Sequence, residues 1–106
     1  MMRGNMGALL KQAQRVQANI KKMEADLAAM EITGAAANDL VTVTMTGKHV
    51  VKSVKIKPEA VSEDDIDMLE DLVLAAVKDA CEKVEATTKA MTAKATAGMP
   101  IPPGFM

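Results

Sequence analysis

The first thirty residues carry apolar side chains at alternating intervals of three and four positions. The series consists of Met6, Leu9, Ala13, Val16, Ile20, Met23, Leu27 and Met30. This spacing places one narrow apolar stripe along an α-helix, as in helices that pack against other helices. Asn5 is the expected N-cap and Gly34 the expected stop signal, so the pattern predicts a helix of about 26 residues and about 39 Å.

The middle of the chain alternates apolar and polar residues with a period of two, which indicates β-strands. Residues 40–46 place Val41, Val43 and Met45 on one face. After a tight turn at 47–49, residues 50–57 predict a second strand that ends at Pro58. Its two faces are expected to hold Val50, Val54 and Ile56 on one side and Val51, Ser53, Lys55 and Lys57 on the other. The pair predicts a β-hairpin, with residues 31–33 as a short edge strand before a loop at 34–39.

Helical spacing returns in the last third of the chain. The apolar series is Ile66, Leu69, Val73, Ala76, Ala80, Val84, Thr87, Met91 and Ala95. Ser62 and Asp65 match a capping box with Ser62 as the N-cap, and the acidic residues nearby suit the start of a helix. Because Gly and Pro are absent until Gly98, the pattern predicts a helix of about 35 residues, roughly 50 Å long. A Pro- and Gly-rich tail, which cannot be helical, follows at 98–106.

These elements predict an α+β fold in which a long helix, a small antiparallel three-stranded sheet and a second long helix follow one another. Residues 1–97 are expected to form a single domain, and residues 98–106 a tail. A strand rises only about 3.3 Å per residue, so short strands cannot cover two helices of this length. We therefore expect part of the apolar surface to meet a second copy of the chain in an intertwined homodimer.

Composition excludes several classes of protein. A chain that is 49% hydrophobic and 25% charged is not wholly disordered, and no apolar run reaches the roughly 18 residues of a membrane span. One cysteine and one histidine cannot build a zinc site or a supported catalytic dyad, so we expect no enzyme, no cofactor, no metal and no small-molecule substrate. We interpret Cys81 as a buried small side chain and His49 as a solvated turn residue. The 1% aromatic content removes the stacking platforms of single-strand binders.

Basic residues without nearby acids are the candidate binding residues. The net charge is −1, so affinity for a polyanion would have to come from local clustering. The basic residues form three groups: Arg3, Lys11, Arg15, Lys21 and Lys22 in the first helix, Lys48, Lys52, Lys55 and Lys57 on the hairpin, and Lys89 and Lys94 near the end of the second helix. A solubilising charged face and a phosphate-contacting surface explain this pattern equally well.

Four stretches of the chain together form a recognisable pattern: LLKQAQRVQANIKKME at 9–24, EITG and LVTVTMTG at 31–34 and 40–47, MLEDLVLAAVKDA at 68–80, and GMPIPPGF at 98–105. In these stretches the chain resembles the YbaB/EbfC family of bacterial nucleoid-associated proteins. Two departures are AAAND at 35–39, where the family is usually glycine-rich, and Lys57 before Pro58, where an acid is common. The resemblance implies a cytoplasmic, nucleoid-associated homodimer with paired helices splayed around a joined sheet. It also implies that the dimer binds double-stranded DNA with little sequence preference and affects DNA conformation and gene expression.

The resemblance also nominates DNA-binding residues, because the family's contacts are attributed to its helical arms. It points to Arg3, Lys11, Arg15, Lys21 and Lys22, to which we add Lys89 and Lys94 from their charge alone. Two alternatives remain open. A prefoldin-like scaffold or holdase without DNA binding would present apolar surface at its helical tips. A basic amphipathic helix lying on an anionic membrane is disfavoured by the narrow seam, and no membrane partner is expected.

Overall fold

A computed structural model of the protein describes residues 2–97, with side chains from residue 6 onward. The elements in chain order are α1 (Met2–Ala29), β1 (Glu31–Ala36), β2 (Val41–Thr46), β3 (Val51–Ile56), a short 3₁₀ helix (Pro58–Ala60) and α2 (Ile66–Ala95). The strands form one antiparallel sheet in the order β1-β2-β3. The predicted α+β fold of two long helices and a three-stranded sheet is therefore confirmed. The expected tail at 98–106 lies outside the described residues.

The core lies between one face of the sheet and α2. On β2, Val41, Val43 and Met45 are buried, as their alternation predicts. The matching surface of α2 is the predicted stripe, in which Ala76 and Ala80 are fully buried. These small residues let the helix lie close to β1, where the backbone of Ala76 and Ala80 stands against Gly34. Helix and sheet approach so closely that the core is built largely from short side chains.

Two side chains of α2 also bind the free edge of β1. The Ala35 N–H donates to Asp79 Oδ2 at 2.9 Å, and Lys83 Nζ donates to the Thr33 carbonyl at 3.4 Å. Lys83 and Asp79 form an ion pair at 3.0 Å. The Ala35 hydrogen bond, with Lys83 beside it, lowers the pKa of Asp79 below its ordinary value. The edge of β1 is thereby closed to pairing with another strand.

The bond at Asp79 makes the stability of the fold depend on pH. Because the folded state holds the pKa of Asp79 below the ordinary 3.8, the carboxylate stabilises the fold above that value. This stabilisation is lost as the pH falls from there through the lowered pKa. Asp79→Asn, which keeps the shape but loses the charge, should therefore lower Tm at pH 7. The difference in Tm between the wild type and this variant should become smaller below about pH 4. Thermal melts across this range test it, and a gap that stays constant with pH would contradict it.

The roles expected of three residues at the ends of helices are wrong. Helix α1 begins at Met2, so Asn5 lies inside it rather than capping it. Gly34 is neither a helix stop nor a loop residue: it pairs with Val43 inside β1, which runs three residues beyond the predicted strand. Helix α2 begins after Asp65, which is the N-cap and accepts a hydrogen bond from the Met68 N–H at 3.0 Å, so Ser62 does not cap it. The helix consequently has 30 residues rather than about 35.

The expected faces of β3 are wrong at one residue, because the hairpin contains a bulge. Val54 pairs with Val43 and Ser53 with Thr44, but Val51 pairs with Met45, which leaves Lys52 as the extra residue. Val51 therefore joins Val54 and Ile56 on the apolar face, since directly paired residues share a face. Val50 lies before the strand.

This apolar face of β3 is uncovered. Helix α2 packs on β1 and β2. Val54 is consequently 47% exposed although its partner Val43 is 0% exposed. Leu74 on α2 and Val61 before it are also exposed, so the uncovered surface is not confined to the strand.

The two smaller expectations differ in outcome. His49 is exposed in the turn between β2 and β3 with a φ of 64°, as expected of a turn residue. Cys81 packs against the core but is only partly buried, because it lies at the margin of the α2 stripe. Of the helices in the described part of the chain, neither combines the length and apolar character that crossing a membrane requires.

Candidate nucleic-acid interface

The two helices form an arm that leaves the sheet at one end of the molecule. They run antiparallel, and they meet where Asn19 Nδ2 donates to the Ala95 carbonyl at 3.5 Å and the Thr92 hydroxyl donates to Met23 Sδ at 3.7 Å. The radius of gyration is 20.2 Å, whereas a compact domain of this size has about 13 Å. We call residues 6–23 of α1 together with residues 86–95 of α2 the cationic arm, because these two stretches contain basic residues and no acidic ones.

Three nominated residues lie on one flank of the arm. Lys11, Arg15 and Lys22 are all exposed, and steps of four and seven keep them within about 40° around α1. The buried face of the helix, marked by Val16 and Leu27, points away from them. They extend over about 16 Å of the helix axis, which equals the length of about five base pairs. This flank is a regular row of positive charge.

Packing of the helices brings a residue of α2 to the same row. Lys22 and Lys94 both line a cavity of about 310 Å³ between the helices. Asn19 and Asp26 line it as well. Two lysines and one carboxylate therefore line this cavity, so the charged residues around it carry an excess of positive charge. The sequence nominates Lys94 from its charge alone, and the cavity that it shares with Lys22 places it at the end of the α1 row.

The other nominated residues are not brought to this row. Lys21 is exposed one residue away from Lys22, which turns it by about 100° to another side of α1. It lines a separate shallow surface groove with Gln14 and Gln17. Lys89 is exposed on α2 but lies five residues before Lys94, about 140° around the helix. Arg3 lies within α1, and its side chain is outside the described part.

Charge is divided between the two ends of the molecule. All 14 acidic residues of the chain lie between Glu24 and Glu85, and therefore outside the cationic arm. The basic residues of the arm are Lys11, Arg15, Lys21, Lys22, Lys89 and Lys94. The acidic group around the start of α2 lies at the far end of the same helix. The chain is nearly neutral overall, but positive charge is concentrated at one end of the molecule and negative charge at the other.

The cations of the arm are available to a ligand. The described residues form two ion pairs, Lys48 with Glu24 at 3.7 Å and Lys83 with Asp79 at 3.0 Å, and neither includes an arm cation. The Lys48 pair lies at the base of the arm, where Gly47 N–H also donates to the Leu27 carbonyl. Within the same part of the chain, no group of three His, Cys, Asp or Glu side chains is arranged to hold a metal ion.

Asn19 is a site residue that the sequence did not identify. Its amide reaches the end of α2 and lines the cavity beside Lys22. A single polar residue on the margin of an apolar stripe carries no signal by itself. Its role depends on where α2 ends, which is known only once the helices are packed.

Comparison with known proteins agrees with the resemblance seen in the sequence. The sequence profile of the YbaB/EbfC DNA-binding family matches residues 2–99. A "Nucleoid-associated protein" from Polynucleobacter necessarius subsp. necessarius (strain STIR1) is 50% identical over 105 residues, which cover 99% of this chain and 96% of that protein. The fold is similar to the crystal structure of an uncharacterised protein, HP0035, from Helicobacter pylori, with a TM-score of 0.66 and 17% identity. That match covers 84% of this chain and 90% of the other.

Proposed function

Because the chain belongs to the YbaB/EbfC DNA-binding family, we propose that its cationic arm binds the phosphate backbone of duplex DNA. The observation that carries this proposal is the separation of charge, with every acidic residue outside the arm. The arm is attracted to a polyanion while the acidic far end is repelled, so DNA is approached arm first. The protein acts as a nucleoid-associated, cytoplasmic DNA-binding protein and not as an enzyme.

The chemistry of the arm favours contacts with phosphate over recognition of base sequence. Its exposed row consists of lysine and arginine side chains on one flank of a helix, which suits a line of phosphates. The described part of the chain has no Phe, Tyr or Trp side chain to stack on or insert between bases. We therefore propose little sequence preference.

The salt dependence of binding tests this electrostatic mode. If four to six phosphates are contacted, the logarithm of the association constant should fall with a slope of about −4 to −5 against the logarithm of salt concentration. Gel shifts or fluorescence anisotropy between about 50 and 300 mM salt measure this slope. A matched duplex of scrambled sequence should give the same slope and nearly the same affinity. A flat salt response would contradict the proposal.

We further propose that the functional unit is a homodimer joined through β3. The apolar face of this strand is uncovered, with Val51, Val54 and Ile56 all exposed, and its outer edge pairs with no other strand in the described part of the chain. An unpaired edge beside an apolar face is suited to pair with another strand. A second copy would present the same surface in return, as a twofold dimer requires. Two cationic arms would then act on one duplex.

Placing a charge on this face should separate the dimer. Val54→Asp is expected to shift the sedimenting species from twice the 11.2 kDa chain mass to the single chain at micromolar concentration, because the carboxylate would be buried without a partner. Ser53→Asp, on the opposite face of the same strand, is the matched control and should remain dimeric. A wild-type protein that sediments as a folded single chain would overturn the dimer.

One observation favours the alternative function of a holdase. Met6, Leu9 and Leu10 are exposed at the free end of α1, which is where a prefoldin-like protein would present apolar surface. Suppression of client aggregation, measured together with a failure to shift DNA, would favour this function. The row of cations beside that apolar surface is better explained by DNA binding.

A further inference from the structure

The apolar stripe of α1 continues beyond the end of α2. The described hydrogen bonds between the helices join Asn19 and Met23 to the final turns of α2. On the remaining part of α1, Met6 is 69% exposed and Leu9 is 63% exposed. Because the two helices run antiparallel and α2 ends at Ala95, it cannot cover these positions. Leu10 and Ala13 adjoin them and widen the apolar surface, which we call the tip face, residues 6, 9, 10 and 13.

We propose that the C-terminal segment 98–106 of the same chain packs along the tip face and completes the arm. The segment follows directly from the end of α2 and therefore starts beside the uncovered part of α1. Its sequence, GMPIPPGFM, contains no charged side chain and carries Met, Ile and Phe side chains. Such a segment is suited to an apolar surface.

The length of the segment matches the length of the tip face. In an extended, proline-rich conformation a chain advances about 3.1 Å per residue, so the eight residues that follow Ala97 could span up to about 25 Å. From the level of Asn19 to Met6 the axis of α1 measures about 20 Å. Phe105 can therefore reach the start of the stripe. The three prolines also reduce the conformational entropy that the segment loses on docking.

The placement leaves the cations of the arm free. Leu9 and Leu10 lie on the side of α1 away from Lys11 and Arg15, at least about 100° around the helix from either. A segment on the tip face would therefore lie on the far side of the arm from bound DNA. It would hold the projecting end of α1 in helical form and so keep its cations in register.

A single tryptophan can report this contact directly. The chain has no Trp and no Tyr, so Phe105→Trp introduces the only strongly fluorescent residue. We expect a blue-shifted emission maximum and reduced quenching by acrylamide in the full chain without DNA. Combining it with Met6→Ser and Leu9→Ser should restore the emission and quenching of exposed tryptophan. Both replaced residues are largely exposed, so the core is not touched.

A matched control separates docking from a general effect on the helix. Gln14→Ser with Ala18→Ser changes two exposed residues on another side of the arm and should leave the blue shift intact. If the protein with Phe105→Trp alone already showed the emission of a solvent-exposed tryptophan, the proposal would be overturned. Shielding that survives Met6→Ser and Leu9→Ser, or that arises only when duplex is added, would also overturn it.

A second measurement does not use Phe105→Trp. It compares the wild-type chain with a variant that carries uncharged substitutions in the C-terminal segment. Ile101→Ser with Phe105→Ser removes apolar surface without changing charge, and hydrogen exchange of residues 6–16 should become faster. Unchanged exchange would contradict docking. Any accompanying reduction of DNA affinity rests on the proposed function. Neither measurement of docking requires DNA, so failure of one proposal is distinguishable from failure of the other.

Discussion

Replacing Lys11, Arg15 and Lys22 together by glutamate is expected to weaken binding to duplex DNA by about a hundredfold or more. Removing one charge-assisted hydrogen bond to phosphate at each position costs at least about 1 kcal/mol, and a total of about 3 kcal/mol corresponds to a factor of more than one hundred in Kd. Repulsion by the new carboxylates adds to this effect. The salt dependence should become shallower, with the magnitude of the slope decreasing by about one for each phosphate interaction removed. Fluorescence anisotropy with a labelled duplex measures both quantities.

The hairpin supplies a control with the same change in net charge. Lys52, Lys55 and Lys57 are exposed on or just after β3, outside the cationic arm, and we expect them only to keep the sheet soluble. Their replacement by glutamate should leave Kd within a few-fold of wild type. Equal weakening in the two triple variants would mean that total charge matters and the arm does not. Circular dichroism of both variants confirms that each remains folded.

The substitution Gly34→Ala is expected to destabilise the fold by about 3 kcal/mol, near the upper end of the range for overpacked cores. A Cβ at this buried position would lie 2.6 Å from both the Ala76 carbonyl oxygen and the Ala80 Cα. These are backbone atoms of a helix and cannot turn aside as a side chain can. Helix α2 would have to move off β1, which opens the core around Ala80. Urea unfolding at fixed protein concentration measures the destabilisation.

Gly7→Ala should change stability in the opposite direction. No described atom lies within 4 Å of a Cβ at Gly7, which is in the exposed part of α1. Alanine is favoured over glycine inside a helix by up to about 1 kcal/mol. The two glycines therefore distinguish close packing from helix propensity. Destabilisation of similar size by both substitutions would contradict the role given to Gly34.

The long periodic patterns of apolar residues predicted the fold, because each pattern arises where one face of a helix or strand is buried against a neighbouring element. On α2, Ala76, Ala80 and Val84 are fully buried, and on β2 the alternation of Val41 and Val43 places both in the core. These patterns extend over many residues, so one misplaced position does not change the interpretation. The order of helix, sheet and helix follows from them directly.

Single-residue signals were less reliable, because more than one arrangement satisfies them. Ser62 and Asp65 can both cap a helix, and the chain uses Asp65, whose carboxylate reaches the Met68 N–H. Gly34 fits a turn, but here it allows the close approach of α2, an arrangement that local sequence does not specify. The bulge beside Met45 shifts Val51 to the other face, and no strong local signal marks it.

The candidate site was predictable only along α1, since helical geometry alone places Lys11, Arg15 and Lys22 on one flank. The approach of Lys94 depends on how α2 packs against α1, and the role of Asn19 depends on where α2 ends. Lys89 and Lys21 resemble the others in sequence, but they lie on different sides of their helices. Tertiary packing therefore decides which cations act together.

The most direct test of DNA binding by the cationic arm is an NMR titration. Isotopically labelled protein is titrated with a short duplex, and the chemical shifts of the protein's backbone amides are measured. We expect the perturbed residues to lie on the arm, around 11–22 of α1 and the final turns of α2. Amides at 63–71, where the acidic residues cluster, should be unaffected. Perturbations centred on the hairpin or on the acidic start of α2, with the arm unchanged, would contradict this mode of binding.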